Sequence, residues 1–133
     1  MTTQTESANI ELVKRGFAAF ANADMATLAD IFDPNVRWNS PRTGILDGNY
    51  AGWHALSGFF AQLAAETDGT FTSRPLTFAA SGDEVFVNAS AAGKRKGRSL
   101  EQDEVLIFTL KDGRAQKVRT FLGDHAAAER FWA

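Results

Sequence analysis

The second half of the chain is a series of β-rich runs separated by turn residues, and this pattern limits the possible folds most strongly. The runs cover residues 71–80, 85–92, 100–110 and 115–122. The breaks between them have turn composition: Ser81-Gly82-Asp83, the segment 93–97, and Asp112-Gly113. Because short turns join the runs, successive strands must pair antiparallel. Arg74-Pro75 interrupts the first run, which predicts an edge strand or a bulge there.

Asp112-Gly113 gives the strongest of these signals, because Asp-Gly between alternating runs favours a two-residue hairpin turn. Such a turn pairs Lys111 with Arg114 and sets the register of the hairpin. One face then carries Asp103, Val105, Ile107, Thr109, Gln116, Val118, Thr120 and Leu122. The other carries Glu104, Leu106, Phe108, Leu110, Ala115, Lys117, Arg119 and Phe121. The first face has fewer charges, so we expect helices to cover it, with Asp103 as its one carboxylate.

Two helices are predicted at the start of the chain. Apolar residues recur every three or four positions between Ser7 and Phe20, which is helical spacing. Asp24 can cap a second, shorter helix that includes Phe32. Pro34 ends that helix, because the residue before a proline is pushed out of the helical conformation.

The remaining segments complete an α+β architecture. Residues 36–40 alternate as a short strand, 42–49 form a Gly-containing loop, and a third helix starts near Ala51. A short terminal helix can be capped by Asp124. Three N-terminal helices ahead of a strongly twisted antiparallel sheet predict a cone-shaped α+β barrel, closed at one end and open at the other. We expect residues 1–133 to form one domain.

Composition excludes several classes of protein. Fourteen basic and sixteen acidic residues leave a net charge of -2, without the basic excess of a nucleic-acid-binding protein. The chain has no cysteine, which excludes disulfides and thiolate chemistry, and its two histidines leave little for a metal site. No apolar run reaches the roughly 20 residues of a membrane span, and the polar N-terminus lacks a secretion signal. We therefore expect a cytoplasmic protein that binds neither metal, nucleic acid nor membrane.

Most of the chain resembles one known superfamily. The matching stretches are Phe17-Ala18-Ala19-Phe20 with Asn22-Ala23-Asp24, the segments 31–41 and 52–63, and the hairpin around Asp112-Gly113-Arg114. They resemble the nuclear transport factor 2-like (cystatin-like) superfamily. Within it, the chain is most similar to the SnoaL-like group, which includes polyketide cyclases and is related to ketosteroid isomerase.

This resemblance implies a pocket for a hydrophobic, polyketide- or steroid-like ligand and chemistry without a cofactor. The catalytic residues of ketosteroid isomerase match Gly16, Ser40 and Val105 here, and none of these can perform the same roles. The acid/base aspartate of the SnoaL-like cyclases matches Val105 or Leu106, so it is also absent. Steroid isomerisation by the known residue set is therefore excluded.

Asp103 is the predicted proton carrier. Burial beside Leu122 would raise the pKa of its carboxyl group toward neutrality, where a carboxylate can act as acid and base. The alternative is a strand-end aspartate that reaches solvent or caps a neighbouring turn. If the assignment of the two faces is wrong, Glu104 takes this role, near Leu106 and Arg119.

Aromatic residues around the first strand and third helix suit a flat apolar ligand, although core packing is the alternative. The predicted ligand-binding residues are Trp38, Ser40, Tyr50, Trp53, His54, Phe60, Val105, Val118, Thr120 and Leu122. Among them, His54 could act as a base or face solvent, and the hydroxyls of Ser40 and Thr120 could bind a ligand oxygen. The basic segment 94–98 is interpreted as a solvated turn.

Two functional hypotheses follow. The first is a cyclase, isomerase or dehydratase that acts by acid–base chemistry on a small hydrophobic molecule. The second is a non-catalytic ligand-binding or dimerisation module of the same fold. Both predict a homodimer formed through the sheet, because the face that carries Leu106, Phe108 and Phe121 needs cover.

Overall fold

The computed structural model describes residues 2–133 and contains the helices and strands that the sequence pattern predicts, with one additional strand. In chain order the elements are α1 (Gln4–Ala21), α2 (Met25–Ile31), β1 (Phe32–Ser40), β2 (Gly48–Ala51), α3 (Trp53–Glu66), β3 (Thr72–Ser81), β4 (Glu84–Arg95), β5 (Arg98–Lys111), β6 (Arg114–Leu122) and α4 (His125–Trp132). A short 3₁₀ turn, Gly44–Leu46, lies between β1 and β2.

The strands form one open six-stranded sheet in the order β2-β1-β6-β5-β4-β3. The four long strands pair antiparallel, as predicted, whereas β1 joins the sheet parallel to β6. Helices pack on the sheet: α1 against β3 and β4, α2 and α3 against β1, and α4 against β5. The curved sheet with helices across it confirms the predicted cone-shaped α+β fold.

Side-chain caps fix three helix starts. Thr3 and Glu6 form a reciprocal capping box, so α1 begins before the predicted Ser7. Asp24 accepts a hydrogen bond from the Thr27 N–H and caps α2, as predicted. The predicted cap at Asp124 is also confirmed.

The predicted boundary between α2 and β1 is wrong. Phe32 is the first residue of β1 and not part of α2, so the strand starts before residue 36 and includes Pro34. The pairing of β1 with β6 is irregular between Phe32 and Arg37. This irregularity accommodates a proline that cannot donate a ladder hydrogen bond. Part of the predicted loop 42–49 is also strand, because Ser40 pairs with Gly48 to start the β1–β2 hairpin.

The basic segment 94–98 is a solvated turn, as predicted, except at Arg95. β4 continues to Arg95, and only Lys96 and Gly97, both with positive φ, form the turn. Arg95 is 5% exposed. Its guanidinium donates to Glu66 Oε1 at 3.1 Å and to the Ala133 carbonyl oxygen at 2.8 Å, so its charge is compensated and it holds α4 against α3.

The β5–β6 hairpin contains the error with the largest consequence for function. Its turn is as predicted, with positive φ at Asp112 and Gly113 and with Lys111 opposite Arg114. Leu110 pairs with Ala115, but Thr109 pairs with Lys117, which leaves Gln116 as an extra residue on β6. A bulge of this kind reverses the side-chain alternation of everything beyond it.

Each predicted face is therefore half wrong. The inner face combines Glu104, Leu106, Phe108 and Leu110 from β5 with Ala115, Val118, Thr120 and Leu122 from β6. The outer face carries Asp103, Val105, Ile107 and Thr109 with Lys117, Arg119 and Phe121. The bulge segregates the charges of β6 on the outer face and leaves the inner face apolar, except at Gln102, Glu104 and Thr120.

A second irregularity was predicted correctly. β3 is an edge strand, and its pairing with β4 shifts between Pro75 and Thr77. Leu76 in this bulge is 45% exposed.

Candidate functional site

A cavity of about 100 Å³ lies between the helices and the inner face of the sheet. Most of its wall is apolar, formed by residues such as Val13 and Phe17 of α1, Phe60 of α3, and Leu106 and Phe108 of β5. A small set of polar side chains shares this wall: Trp38, Ser40, Thr43, Ser73, Gln102, Glu104 and Thr120. An apolar cavity with few polar groups is the usual form of a small-molecule site.

Glu104 is the one carboxylate of the cavity wall within residues 2–133. It is partly buried, and Ser73 Oγ donates a hydrogen bond to its Oε1 at 3.0 Å. Burial raises the pKa of Glu104 above the ordinary 4.5, and the Ser73 hydrogen bond opposes this rise more weakly. Its other oxygen, Oε2, has no hydrogen-bond partner in the described chain and is free to exchange a proton.

The prediction that Asp103 is the buried acid is wrong. Asp103 is exposed on the outer face of β5 and lies outside the cavity. Its backbone oxygen accepts from the Gly123 N–H at 2.9 Å, but its carboxyl group faces away from the site. The sequence predicts this role for Glu104 if the two faces are assigned the wrong way round. The geometry supports that alternative, because Glu104 lies on the inner face.

Aromatic rings form one wall of the cavity. Trp38 packs edge-on against Phe60, with 5.5 Å between the ring centroids, and lies 6.2 Å from Phe32 and 5.9 Å from Phe59. Its Nε1 atom is buried and has no hydrogen-bond partner among residues 2–133. A buried donor without a partner reduces the stability of the folded protein. A hydrogen-bond acceptor on a ligand in the cavity would remove this cost.

Three hydroxyls at the β1–β6 side of the cavity are buried and hydrogen-bonded to protein atoms. Thr120 Oγ1 donates to the Asn39 carbonyl oxygen at 2.7 Å. The Ser40 and Thr43 hydroxyls lie 2.9 Å apart, in a hydrogen bond for which either hydroxyl can be the donor, and Thr43 Oγ1 also lies 3.3 Å from the Ser40 carbonyl oxygen. The Thr120 hydroxyl therefore offers an acceptor lone pair rather than a proton.

Gln102 is a site residue that the sequence reasoning missed. Its Oε1 accepts a hydrogen bond from the Asp124 N–H at 2.7 Å, which ties β5 to the start of α4. Because a backbone N–H can only donate, the oxygen must face Asp124 and the Nε2 amide faces elsewhere. The signal in the sequence was its spacing of two from Glu104, which places both side chains on one face of β5.

Half of the predicted ligand-binding residues line the cavity: Trp38, Ser40, Phe60, Thr120 and Leu122. The others lie outside its wall. Tyr50 donates to the Leu46 carbonyl oxygen and packs on Phe59, and Trp53 stacks on Phe32 from outside.

The remaining three differ in exposure. His54 is exposed on α3. Val105 is 37% exposed on the outer face, because the bulge reverses the predicted assignment. Val118 is completely buried in the core without lining the cavity.

Residues 2–133 contain no group of three His, Asp or Glu side chains able to hold an ion. In the same range, no helix combines the length and hydropathy needed to cross a bilayer.

The chain is similar in sequence to a known domain family and to a mycobacterial protein. Residues 13–118 match the model of the SnoaL-like domain. A protein of Mycobacterium tuberculosis strain H37Rv, described as uncharacterized, is 34% identical over 130 residues, which cover 97% of this chain and 99% of that protein.

Solved structures show the same fold. Bal32a, from a soil-derived mobile gene cassette, is 32% identical with a TM-score of 0.95, over 98% of this chain and 100% of Bal32a. TerC, co-crystallized with polyporic acid, is 25% identical with a TM-score of 0.82, over 94% of this chain and 98% of TerC. The extent of the domain match and the close structural agreement establish that this chain belongs to the SnoaL-like domain family, within the nuclear transport factor 2-like fold.

Proposed function

We propose that the protein is a cofactor-independent enzyme that transfers protons on a small hydrophobic carbonyl compound, with Glu104 as the acid and base. The observation that carries this proposal is a single carboxyl group on an apolar cavity wall, hydrogen-bonded through one oxygen only. Isomerisation, cyclisation and dehydration of carbonyl compounds all begin with such a proton transfer. TerC, of the same fold, supports an organic ligand, since it was co-crystallized with polyporic acid.

The chemical step needs only groups that the cavity holds. Glu104 Oε2 accepts a proton from a carbon next to the carbonyl group, so that the C–H bond breaks and an O–H bond forms on the carboxyl. The electron pair moves onto the carbonyl oxygen as an enolate, and Glu104 returns the proton to a different atom of the same molecule. Burial raises the pKa of Glu104 above its ordinary value, and a carboxyl group with a raised pKa can act as both base and acid.

Exchange of carbon-bound hydrogen tests this role without knowledge of the natural substrate. Acetophenone and other aryl and cyclic ketones are incubated with the protein in deuterated buffer, and loss of the α-proton signal is followed by NMR. We expect the wild type to accelerate exchange for at least one ketone, and Glu104→Gln to reduce the rate at least about 100-fold. Asp103→Asn is the matched control, one residue away on the opposite face, and should exchange at the wild-type rate.

The second hypothesis, a non-catalytic binding module, predicts a different result. Ketones would then raise the melting temperature without measurable exchange in any variant. Equal exchange rates in the wild type and in Glu104→Gln would remove Glu104 from the mechanism.

We also propose that two copies associate through the outer face of the sheet. Phe121 is 48% exposed and Val105 37% exposed at its centre. Lys117 and Arg119 lie toward one end of this face and Asp103 toward the other. A two-fold axis across the strands would bring opposite charges together around the apolar centre.

The residues that need cover differ from those predicted. The bulge places Leu106 and Phe108 in the cavity and leaves only Phe121 of that set outside. Sedimentation velocity of the wild type should show a dimer, and Phe121→Lys should shift it to a monomer without loss of folding. A monomeric wild type at about 100 μM, well above the dissociation constants of stable homodimers, would contradict this proposal.

A further inference from the structure

We propose that the cavity selects a ligand no larger than one substituted ring, with a carbonyl oxygen at one end and a hydroxyl or N–H at the other. The carbonyl lies at Gln102 and Glu104, and the donor group lies at Ser40 and Thr120. This inference rests on the proposed role of the cavity as the ligand site. It does not depend on whether Glu104 performs chemistry.

The size limit comes from the volume of the cavity. At about 100 Å³, it is smaller than the 300–1,000 Å³ typical of sites for drug-sized molecules. Apolar cavities of about 150 Å³ admit benzene, so even a single ring requires the wall of this smaller cavity to move outward. A polyketide or steroid would require a much larger movement, which makes one substituted ring the upper limit that we propose.

The carbonyl end is defined by the hydrogen bonds of Gln102. Its Oε1 is committed to the Asp124 N–H at 2.7 Å, and its Nε2 has no partner among residues 2–133. Glu104, two residues along the same face of β5, adds an O–H donor whenever it is protonated. This end of the cavity therefore donates hydrogen bonds, and a carbonyl oxygen is the ligand group that accepts them.

The opposite end accepts hydrogen bonds. The Thr120 hydroxyl proton is held by the Asn39 carbonyl oxygen at 2.7 Å, and the Ser40 hydroxyl shares a hydrogen bond of 2.9 Å with the Thr43 hydroxyl. The Thr120 oxygen keeps a lone pair but has no proton to give. A ligand hydroxyl or N–H satisfies these groups, whereas a second carbonyl would leave its own oxygen unpaired.

The two ends are separated by about the width of a ring. Glu104 faces Leu122 across the β5–β6 pair, and Thr120 faces Leu106, so Glu104 and Thr120 are diagonal neighbours on one face. Diagonal positions of this kind are about 7–8 Å apart. Ser40 lies beyond Thr120 on the adjacent strand. A ring with its carbonyl and its donor at opposite positions matches this spacing.

A matched set of four probes separates the contributions. Binding of 4-hydroxyacetophenone, acetophenone, 4-ethylphenol and ethylbenzene is measured by NMR titration with the full chain. These molecules share one shape and differ only in the carbonyl oxygen and the hydroxyl. We expect 4-hydroxyacetophenone to bind about five- to tenfold more tightly than acetophenone or 4-ethylphenol. The two-ring homologue 6-hydroxy-2-acetonaphthone should bind more weakly than 4-hydroxyacetophenone.

Two variants assign each preference to one end. Gln102→Glu retains an oxygen for the Asp124 N–H but replaces the free amide. It should weaken the binding of both ketones about tenfold, whereas the dissociation constants of 4-ethylphenol and ethylbenzene should change less than about twofold. Thr120→Val should weaken only the two hydroxylated probes. Ser40→Ala provides a second test of that end if Thr120→Val fails to fold.

The results distinguish this inference from the proposed function. Equal binding of all four probes, tighter binding of the two-ring homologue, or no binding of any single-ring probe would overturn the inference, whatever the exchange rates. Conversely, the expected binding pattern without any α-proton exchange would support the inference and contradict only the catalytic role of Glu104.

Discussion

Asp103 and Glu104 are consecutive carboxylates on β5, and comparison of their two faces shows how this site is built. Asp103 is exposed to solvent on the outer face. Glu104 lines an apolar cavity, is held by Ser73 at 3.0 Å, and has a raised pKa because of burial. The same chemical group faces solvent on one side of the sheet and an apolar cavity on the other. One extra residue in the neighbouring strand, Gln116, decides which face is which.

The largest expected effect comes from removing a residue beyond the bulge. After deletion of Arg119, the strand must shift by one residue on one side of the gap. Because the side-chain period of a strand is two residues, this shift turns Val118 outward if the preceding part moves, and turns Thr120 and Leu122 outward if the following part moves. We expect loss of cooperative unfolding by circular dichroism. Deletion of Gln116 is the matched control: it removes the bulge but keeps both faces, and should cost only about 1–2 kcal/mol from its lost hydrogen bonds to Asp33 and Lys111. Similar stability in both deletion variants would contradict the role of the bulge.

Truncation of one phenylalanine on each face should also separate the two faces. Phe108, 6% exposed, packs against Phe17 at 6.0 Å between ring centroids. Phe108→Ala should therefore reduce the free energy of unfolding by about 3–5 kcal/mol in urea denaturation. Phe121 is 48% exposed, and the Arg119 guanidinium carbon lies 5.8 Å from its ring centroid.

Phe121→Ala should cost less than about 1 kcal/mol at low protein concentration. A larger loss that appears only at high concentration would be the contribution of dimerisation, since association stabilises the folded state. A loss from Phe121→Ala equal to that from Phe108→Ala at low concentration would contradict the assignment of the outer face.

The pH dependence of stability should differ between the two carboxylates. Because the pKa of Glu104 is raised in the folded protein, the neutral form is favoured there. Its contribution to stability is fully present below the ordinary pKa of 4.5 and is lost as the pH rises through the raised folded value. Relative to Glu104→Gln, the wild type should therefore lose free energy of unfolding as the pH increases from 4.5. The Asp103→Asn variant still contains Glu104, so its free energy of unfolding should fall with rising pH as that of the wild type does. Urea titrations at several pH values test both variants.

The smallest expected effect is that of Ser73. Ser73→Ala removes the one side-chain hydrogen bond that lowers the pKa of Glu104, so that pKa should rise further. In the Ser73→Ala background, the loss of stability relative to the Ser73→Ala/Glu104→Gln double variant should therefore extend to higher pH than in the wild-type background. The stability at low pH should change little. NMR titration of the Glu104 carboxyl carbon measures the shift directly. An unchanged midpoint would show that Ser73 does not interact with the carboxylate in solution.

Much of the fold was predictable because its signals are local. Asp24 and Asp124 cap helices through hydrogen bonds three residues away, and Asp112-Gly113 forms its turn through its own backbone conformation. Pro75 marked a bulge because it lacks an N–H group. Such features depend on a few neighbouring residues, which the sequence shows directly.

The errors arose where distant residues decide the outcome. Arg95 is buried because Glu66 and the end of α4 meet it in space, which the adjacent charges at Lys94 and Lys96 do not indicate. The bulge at Gln116 has no glycine or proline to mark it; its side chain is held by Asp33, far away along the chain. Gln102 was missed for the same reason, since its partner Asp124 belongs to another element.

The sequence by itself determined the types of element, their order, the hairpin turn and the set of residues from which a site could be built. Only the tertiary structure decided which of two adjacent carboxylates enters the cavity. The physical reason is that strand side chains alternate with a period of two, so a single unpaired residue exchanges the two faces. The cost of burying Lys117, Arg119 and Phe121 in place of Val118, Thr120 and Leu122 selects the bulged register, and that choice places Glu104 at the site.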